Sequence, residues 1–209
     1  MATLTNKSWF NPALRVLVFM AALTPFLLIV FNVIADRLGP DPAEALMHQT
    51  GEWAIRLLVL VLAARPLAQW GWPRLFRYRR MLGLFMFFYT TLHLLVFAQV
   101  YVGWSGAILA EELVERPYVM VGFAAWILLL PLAVTSTNAM RRRLRQRWRQ
   151  LHQAVYAVAV LGTLHLLWLS RSDIGDAVLY GLLFAILLAW RLKTYLEKLR
   201  RAPASSNPV

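Results

Sequence analysis

Apolar residues are concentrated in six long runs along the chain, approximately residues 13–34, 50–67, 81–101, 118–137, 152–169 and 176–192. A helix needs about 20 consecutive apolar residues to cross the hydrocarbon core, where it satisfies its own backbone hydrogen bonds. The pattern therefore predicts an all-α integral membrane protein, with one bundle of six transmembrane helices over residues 1–201 and a disordered tail at residues 202–209. The first run is longer than the apolar part of a secretory signal and no cleavage site follows it, so we expect it to be retained.

Basic and acidic residues fall on alternate connections between these runs. Arginines and lysines cluster between the second and third runs, between the fourth and fifth, and after the sixth. The opposite connections carry all of the acidic residues except Glu197. The positive-inside rule then places both termini and the basic connections in the cytoplasm, and the acidic connections on the outer side.

The composition limits what the chain can bind. Hydrophobic residues make up 60% of the sequence and charged residues 15%, as is typical of membrane proteins. The net charge of +12 is accounted for by the topology and by anionic lipid head groups. We therefore expect the lipid bilayer as a partner and no nucleic acid. The chain has no cysteine, which excludes thiolate haem ligation and cysteine-held iron–sulfur clusters.

Two of the four histidines lie deep within apolar runs and at matching depth. At about 1.5 Å per residue, His93 is roughly 18 Å and His165 roughly 20 Å from the cytoplasmic start of its own run. An ionisable residue in hydrocarbon is a candidate functional residue, and neutral imidazole is a common metal ligand. The sequence therefore predicts that the two imidazoles face each other and could hold a haem iron. The alternative is two unrelated histidines, each hydrogen-bonded to a neighbouring helix.

The residues around this pair are compatible with a bound macrocycle. Gly162, one helical turn before His165, could let a flat ring approach the backbone. On the third run, Arg79, Gly83 and His93 share a face by three-and-four spacing, together with Met86, Thr90 and Phe97. Ordinary packing between membrane helices produces the same kind of stripe.

A second candidate site lies nearer the cytoplasm. His152 begins the fifth run about 20 Å below His165, and Arg79 lies at the matching level of the third run. His152 could be one ligand of a lower haem, while Arg79 is suited to a propionate or a phosphate. On one continuous ideal helix, His152 and His165 would point about 220° apart, so sharing a face would require a distortion.

Two further residues near the outer side have alternative interpretations. His48 is expected near water, where it is either structural or adjacent to an external partner or a quinone head group. Arg56 lies within the second apolar run. It is expected to pair with Glu52, four residues earlier, and the alternative is a cofactor carboxylate.

Several short motifs follow one another in an order that matches a known family. They include His48-Gln49-Thr50-Gly51, Arg79-Arg80-Met81-Leu82-Gly83, His93, Arg116-Pro117-Tyr118, Thr135-Ser136-Thr137-Asn138, Leu151-His152 and His165. In these motifs and their spacing, the chain resembles the haem-binding membrane subunits of bacterial periplasmic methionine sulfoxide reductase. That family is part of the wider ferric-reductase-like transmembrane group.

The resemblance implies a multi-pass protein of the bacterial inner membrane that carries haem b, with His93, His165 and His152 as candidate ligands. It implies a periplasmic molybdopterin-containing methionine sulfoxide reductase as electron acceptor, acting in the repair of oxidised proteins. It also implies FMN, and a cytoplasmic flavin reductase or membrane quinol as donor. The wider group has two histidines on each of two helices. In this chain Arg79 occupies the position of the second histidine on the helix of His93. One haem is therefore expected, and a second depends on His152.

Three other functions are compatible with the residues alone. They are a proton-coupled transporter that uses the intramembrane histidines, a structural membrane anchor, and a stand-alone ferric-reductase-like cytochrome b. Few residues follow the sixth run, so we expect hydride chemistry to come from another protein and this chain to be a non-catalytic subunit. Haem absorbance separates a cytochrome from the transporter and the anchor.

Overall fold

The computed structural model describes residues 10–169 and 174–201. Within these ranges the chain forms eight α-helices and no strand. The helices are α1 Phe10–Ile34, α2 Pro42–Gln69, α3 Pro73–Phe97, α4 Gly106–Glu115, α5 Pro117–Val134, α6 Asn138–Leu151, α7 Ala154–Leu169 and α8 Gly175–Arg201. α3 continues into one π-helical turn, Ala98–Val102. The tail expected at residues 202–209 lies outside the described residues.

Four helical stretches are long and apolar enough to cross a membrane, namely Pro12–Ile34, Phe76–Val102, Pro117–Val134 and Gly175–Glu197. α6 and α7 together give a fifth candidate, with a bend of 45° between them. α2 has 28 residues but is not in this set, and it carries Glu44, Glu52, Arg56 and Arg65. The described residues thus form an all-helical protein with four or five candidate spans, and the sixth predicted span stays a prediction.

The fifth apolar run begins later in the structure than the sequence suggested. α7 starts at Ala154, and His152 lies at the end of α6, in the bend between the two helices. α6 carries six exposed arginines, which favour an interfacial position over the hydrocarbon core: Arg141, Arg142, Arg143, Arg145, Arg147 and Arg149. Because the helix is broken here, the rotation expected between His152 and His165 on one ideal helix does not apply.

The buried core lies among α2, α3, α5, α7 and α8. Its most buried members include Leu57, Val61, Tyr89, Leu129, Ala159 and Phe184. Many large apolar side chains on the outer surface of the bundle are exposed, such as Leu17 on α1 and Ile186 on α8. An apolar surface of this extent is expected where helices face lipid.

A tyrosine side chain connects α1 to α3. Pro25 interrupts α1, and proline inside a helix disturbs the backbone hydrogen bonds of its own turn. In a regular helix the Phe26 N–H would donate to the Ala22 carbonyl. Here Phe26 donates to the Tyr89 hydroxyl, and that hydroxyl donates to the Ala22 carbonyl, both at 2.9 Å. Tyr89 is 0% exposed, so it stabilises the interrupted turn from within the core.

Candidate functional site

A cavity of about 450 Å³ lies between α2, α3, α5 and α7. His93 enters it from α3 and His165 from α7. Most of the remaining wall is apolar and includes Leu58, Met86, Phe97, Leu129 and Val158. Pockets for small molecules and cofactors are commonly about 300–1,000 Å³, so this cavity has the size of a cofactor site.

The two histidine rings face each other within this cavity. Their centroids are 6.2 Å apart, and their planes are at 89° to each other. A metal–imidazole bond is about 2.0 Å long, so two such bonds and two ring radii span about 6 Å between ring centres. The separation therefore suits two imidazoles on opposite sides of one metal ion.

The donor set around this pair is small. In residues 10–169 and 174–201, no group of three or more histidine, cysteine, aspartate or glutamate side chains is arranged to hold a metal ion. A metal between His93 and His165 would thus have two protein ligands. Haem iron needs no more than two, because the macrocycle supplies the others. The residues present therefore fit haem better than a metal ion held by protein ligands alone.

Hydrogen bonds orient both rings. His93 Nδ1 lies 3.1 Å from the Met47 carbonyl and 3.2 Å from the Thr50 hydroxyl. His165 Nδ1 lies 2.7 Å from the Tyr118 carbonyl. A carbonyl can only accept, so each Nδ1 carries the hydrogen, and Nε2 of each ring keeps its lone pair for a metal.

Two glycines leave room for the rings against neighbouring helices. A Cβ atom added at Gly122 would lie 2.8 Å from His165 Nδ1, and one at Gly51 would lie 3.1 Å from His93 Cε1. From the sequence, Gly51 stands out only as part of a family motif and Gly122 does not stand out, since a glycine in an apolar helix equally marks ordinary helix packing. Of the two glycines that the sequence singled out, Gly162 lines the cavity. Gly83 does not, and a Cβ there would contact only Val61 at 4.0 Å.

Polar side chains line the cavity wall together with the apolar residues. They include Glu44, His48, Glu52 and Asp176. The side chain of His48 is 64% exposed and its Nδ1 lies 3.9 Å from Glu52. Glu52 also pairs with Arg56, as predicted, and the Arg56 guanidinium lies 4.8 Å from the ring centre of Trp53. Three carboxylates thus border the space that the two histidines share.

A surface arginine reaches the same tyrosine that binds His165. Arg116 lies 3.1 Å from a Glu112 carboxylate oxygen and donates to the Tyr118 hydroxyl at 3.3 Å. These contacts, the Tyr118 hydrogen bond foremost, raise the pKa of Arg116, so its guanidinium stays charged. The backbone carbonyl of Tyr118 is the acceptor for His165. Position 118 therefore connects the protein surface with one of the two rings.

His152 and Arg79, the predicted lower site, do not line this cavity. The His152 ring stacks on Trp148, with centroids 3.9 Å apart, and its Nδ1 lies 3.0 Å from the Trp148 carbonyl. Its Nε2 is buried without a hydrogen-bond partner. Arg79 lines a separate small cavity with Arg65, Tyr156 and Arg191. His152 thus has a ring nitrogen without a hydrogen bond, and it does not line the cavity of Arg79, although the Arg79 charge acts on it.

Comparison with known proteins identifies the family. The profile of the family described as ferric reductase like transmembrane component matches residues 50–163. A protein named protein-methionine-sulfoxide reductase heme-binding subunit MsrQ, from Xanthomonas axonopodis pv. citri, is 42% identical over 203 residues, or 94% of this chain and 93% of that protein. The protein of the same name from Polaromonas naphthalenivorans is 40% identical over 209 residues, or 98% of this chain and 95% of that protein.

No solved structure matches the chain at a significant level. The family match is nevertheless broad, since the relatives align over almost the whole chain, including all eight described helices. The chain therefore belongs to the MsrQ family of ferric-reductase-like transmembrane proteins.

Proposed function

We propose that this protein is a haem b-binding electron-transfer subunit of the bacterial inner membrane. It passes electrons to a periplasmic molybdopterin-containing methionine sulfoxide reductase that repairs oxidised proteins. The observation that carries this proposal is the facing pair His93 and His165, with ring centroids 6.2 Å apart in a cofactor-sized cavity. The names of the relatives, which are heme-binding subunits, support it.

His93 and His165 are the residues proposed to hold the haem iron. A haem held by these two residues would supply one-electron chemistry. The protein holds each ring through its Nδ1–H, using the Met47 and Tyr118 carbonyls. Such hydrogen bonds fix the ring orientation and raise the basicity of the ligating nitrogen. The apolar wall limits access of water, which also influences the reduction potential.

The proposed topology has six spans with both termini in the cytoplasm. α2, with 28 residues, is about 42 Å long at about 1.5 Å per residue, which exceeds a hydrocarbon core of about 30 Å. Pairing of Glu52 with Arg56 lowers the cost of placing these charges in a span. In this orientation Glu44, His48 and Asp176 lie on the periplasmic side, so they are the proposed docking residues for the acceptor.

Electrons are proposed to arrive from the cytoplasmic side. The donor is a cytoplasmic flavin reductase or a membrane quinol, and His152 and Arg79 mark the receiving end of the bundle. The buried Nε2 of His152 supports this part of the proposal, because it is a free ligand nitrogen. A second haem on His152, or FMN, is the proposed cofactor of this lower site.

Absorbance spectroscopy of the purified protein tests the proposal. We expect a low-spin b-type haem spectrum, because two imidazoles would bind the iron. His93→Ala and His165→Ala should each abolish that spectrum or convert it to high spin. His48→Ala controls for the loss of an imidazole that is not a proposed iron ligand, and it should leave the low-spin spectrum in place, since its side chain is largely exposed.

The outcome also separates the competing functions. If both single variants keep the wild-type spectrum, the ligand pair is wrong. A wild-type protein without haem, although produced with an ample haem supply, would instead favour a proton-coupled transporter or a structural anchor. In His152→Ala the spectrum of the outer haem should persist, while reduction from the cytoplasmic side should slow.

A further inference from the structure

Three arginines from three helices meet at one small cavity. Arg65 of α2, Arg79 of α3 and Arg191 of α8 line it together with Tyr156 of α7, and its volume is about 10 Å³. All four residues are partly buried. The Arg191 guanidinium carbon lies 5.5 Å from the Tyr156 ring centre, and the Arg79 side chain is close enough to Tyr156 for the two to interact. We call Arg65, Arg79 and Arg191 the arginine cluster.

The arginine cluster has no carboxylate partner among the residues whose side chains the structure describes. The ion pairs found there join Glu52 to His48 and Arg56, and Glu112 to Arg116. Of the acidic residues in the sequence, only Glu197 follows Arg191 along α8, six residues and roughly 9 Å further on. No acidic side chain lines the cavity itself.

Three guanidinium groups so close together repel one another. The charges of both Arg79 and Arg191 act unfavourably on Arg65. Arginine stays protonated under all ordinary conditions, so the cluster cannot relieve the repulsion by losing a proton. The interaction between charges is also stronger at a partly buried site than in water. A bound anion would compensate this repulsion.

We propose that the arginine cluster binds a phosphate group. Guanidinium groups bind phosphate oxygens through paired hydrogen bonds, and several donors around one point suit a tetrahedral anion. A carboxylate, in contrast, is satisfied by the paired hydrogen bonds of a single guanidinium group. The hydroxyl of Tyr156 provides a further donor within the same cavity. The enclosed volume accepts about one water-sized group, so a phosphate oxygen enters the cavity while the rest of the ligand lies at its mouth.

Two sources can supply a phosphate group of this kind. One is the head group of an anionic phospholipid, for which the apolar residues beside the cluster offer contact with an acyl chain: Leu62, Leu187, Leu188 and Trp190. The other is a soluble phosphate ion or ester from the cytoplasm. The arginine cluster shares Arg79 with the proposed lower cofactor site, so this inference rests on that part of the proposed function, but it lies outside the cavity of His93 and His165.

The experiment measures both sources with the haem-loaded full-length protein. Native mass spectrometry in detergent records the binding of phosphatidylglycerol, with phosphatidylcholine as the zwitterionic comparison. Thermal unfolding records stabilisation by inorganic phosphate, with chloride at equal ionic strength. The variants are Arg65→Gln and Arg191→Gln. Arg65→Lys is added because it keeps the positive charge but not the paired N–H donors of the guanidinium. Arg142→Gln on α6, an exposed arginine, is the control.

We expect each glutamine variant to weaken phosphate-group binding by about tenfold or more, as the loss of a charge-assisted hydrogen bond predicts. Arg65→Lys should lie between wild type and Arg65→Gln, and Arg142→Gln should match wild type. A selective loss of phosphatidylglycerol identifies a lipid site, and a selective loss of stabilisation by inorganic phosphate identifies a soluble ligand.

Equal binding by wild type and both glutamine variants overturns the proposal. So does an equal loss in Arg142→Gln, since that would reflect surface charge alone. The haem absorbance of every variant is recorded in the same samples. A wild-type haem spectrum in a variant that has lost phosphate binding shows that the protein is folded, and it separates this site from the haem assignment.

Discussion

The rings of His165 and His93 are perpendicular, with centroids 6.2 Å apart and planes at 89°. Neither ring is oriented by its own helix. His93 of α3 is bound by the Met47 carbonyl of α2, and His165 of α7 is bound by the Tyr118 carbonyl of α5. The angle between the rings is therefore set by the packing of four helices.

The perpendicular rings predict a specific electron paramagnetic resonance signal. When axial imidazole planes are perpendicular, two of the iron d orbitals become nearly equal in energy, and the low-spin ferric signal becomes highly anisotropic. We expect that type of signal from the oxidised protein at low temperature. A rhombic signal of the kind given by parallel imidazoles would contradict the orientation that the Met47 and Tyr118 carbonyls impose.

Alanine at Gly122 should disturb the site more than alanine at any other glycine of the bundle. The new methyl group would lie 2.8 Å from His165 Nδ1, which forces the ring away from the Tyr118 carbonyl. We expect a large loss of haem per protein, measured by pyridine haemochrome and protein assay. Gly83→Ala is the control, because its methyl group would meet only Val61 at 4.0 Å. Equal haem content in Gly122→Ala and Gly83→Ala would contradict the ring position.

Removal of the Thr50 hydroxyl should raise the reduction potential of the haem. Thr50 is fully buried, donates to the Leu46 carbonyl at 2.7 Å, and can accept from His93 Nδ1. Thr50→Val removes this acceptor, which makes the ligating nitrogen less basic and favours the ferrous state. A hydrogen bond contributes about 0.5–1.5 kcal/mol. Since about 1.4 kcal/mol corresponds to about 59 mV for one electron, the rise should be at most about 60 mV.

Redox titration of Thr50→Val, Thr50→Ser and Thr163→Val measures this effect. Serine keeps the hydroxyl and should restore the wild-type potential. Thr163 donates to the Ala159 carbonyl of its own helix and does not line the cavity, so its valine variant is a control for the loss of a hydroxyl. If the reduction potential rises equally in both valine variants, the hydrogen bond between Thr50 and His93 is not the cause of the rise.

Tyr89→Phe should lower stability without changing the haem spectrum. The phenol oxygen accepts from Phe26 and donates to Ala22, and its loss leaves backbone groups of α1 without these partners. An unsatisfied buried polar group costs about 1–3 kcal/mol. We expect the variant to unfold faster on heating. The measurement is the decay of haem absorbance with time at a fixed temperature. Tyr101→Phe is the control, because Tyr101 is 46% exposed.

The sequence predicted the helices that are long and apolar, and it missed those that are short or charged. Each predicted run coincides with a helix, since burial in hydrocarbon requires a long apolar segment. α4 has only 10 residues, and α6 is dominated by arginine, so neither gives an apolar run. The pairing of Arg56 with Glu52 was predictable because both residues lie on one helix, one turn apart.

Contacts between helices were harder to predict. Depth along the membrane follows from residue counting, and it placed His93 and His165 at one level. The carbonyls of Met47 and Tyr118 have no sequence signature, because every residue has one. Gly51 and Gly122 are recognisable only when the opposing ring is known. The convergence of Arg65 with Arg191 likewise depends on which helices are neighbours, which a single sequence does not state.

Electron transfer should run from the cytoplasmic face of the membrane to the periplasmic face. In the proposed topology, the basic ends of the helices receive electrons, and Glu44, His48 and Asp176 border the exit. Sealed vesicles that hold the protein in known orientation test this, with reduced flavin and flavin reductase confined to the cytoplasmic face and the oxidised periplasmic reductase on the other. We expect the haem to be reduced from the cytoplasmic face and reoxidised only when the periplasmic reductase is present.

Each failure of that experiment has a different meaning. Haem that is reduced by neither the cytoplasmic donor nor quinol contradicts the proposed direction. Haem that is reduced but not reoxidised by the periplasmic reductase leaves a cytochrome b with another acceptor, such as a stand-alone ferric reductase. A double variant, Glu44→Gln with Asp176→Asn, is the test of the docking residues. It should slow reoxidation and leave reduction unchanged, because both carboxylates lie on the proposed exit side of the cavity. Slowing of both steps would show that these carboxylates act on the haem rather than on the partner.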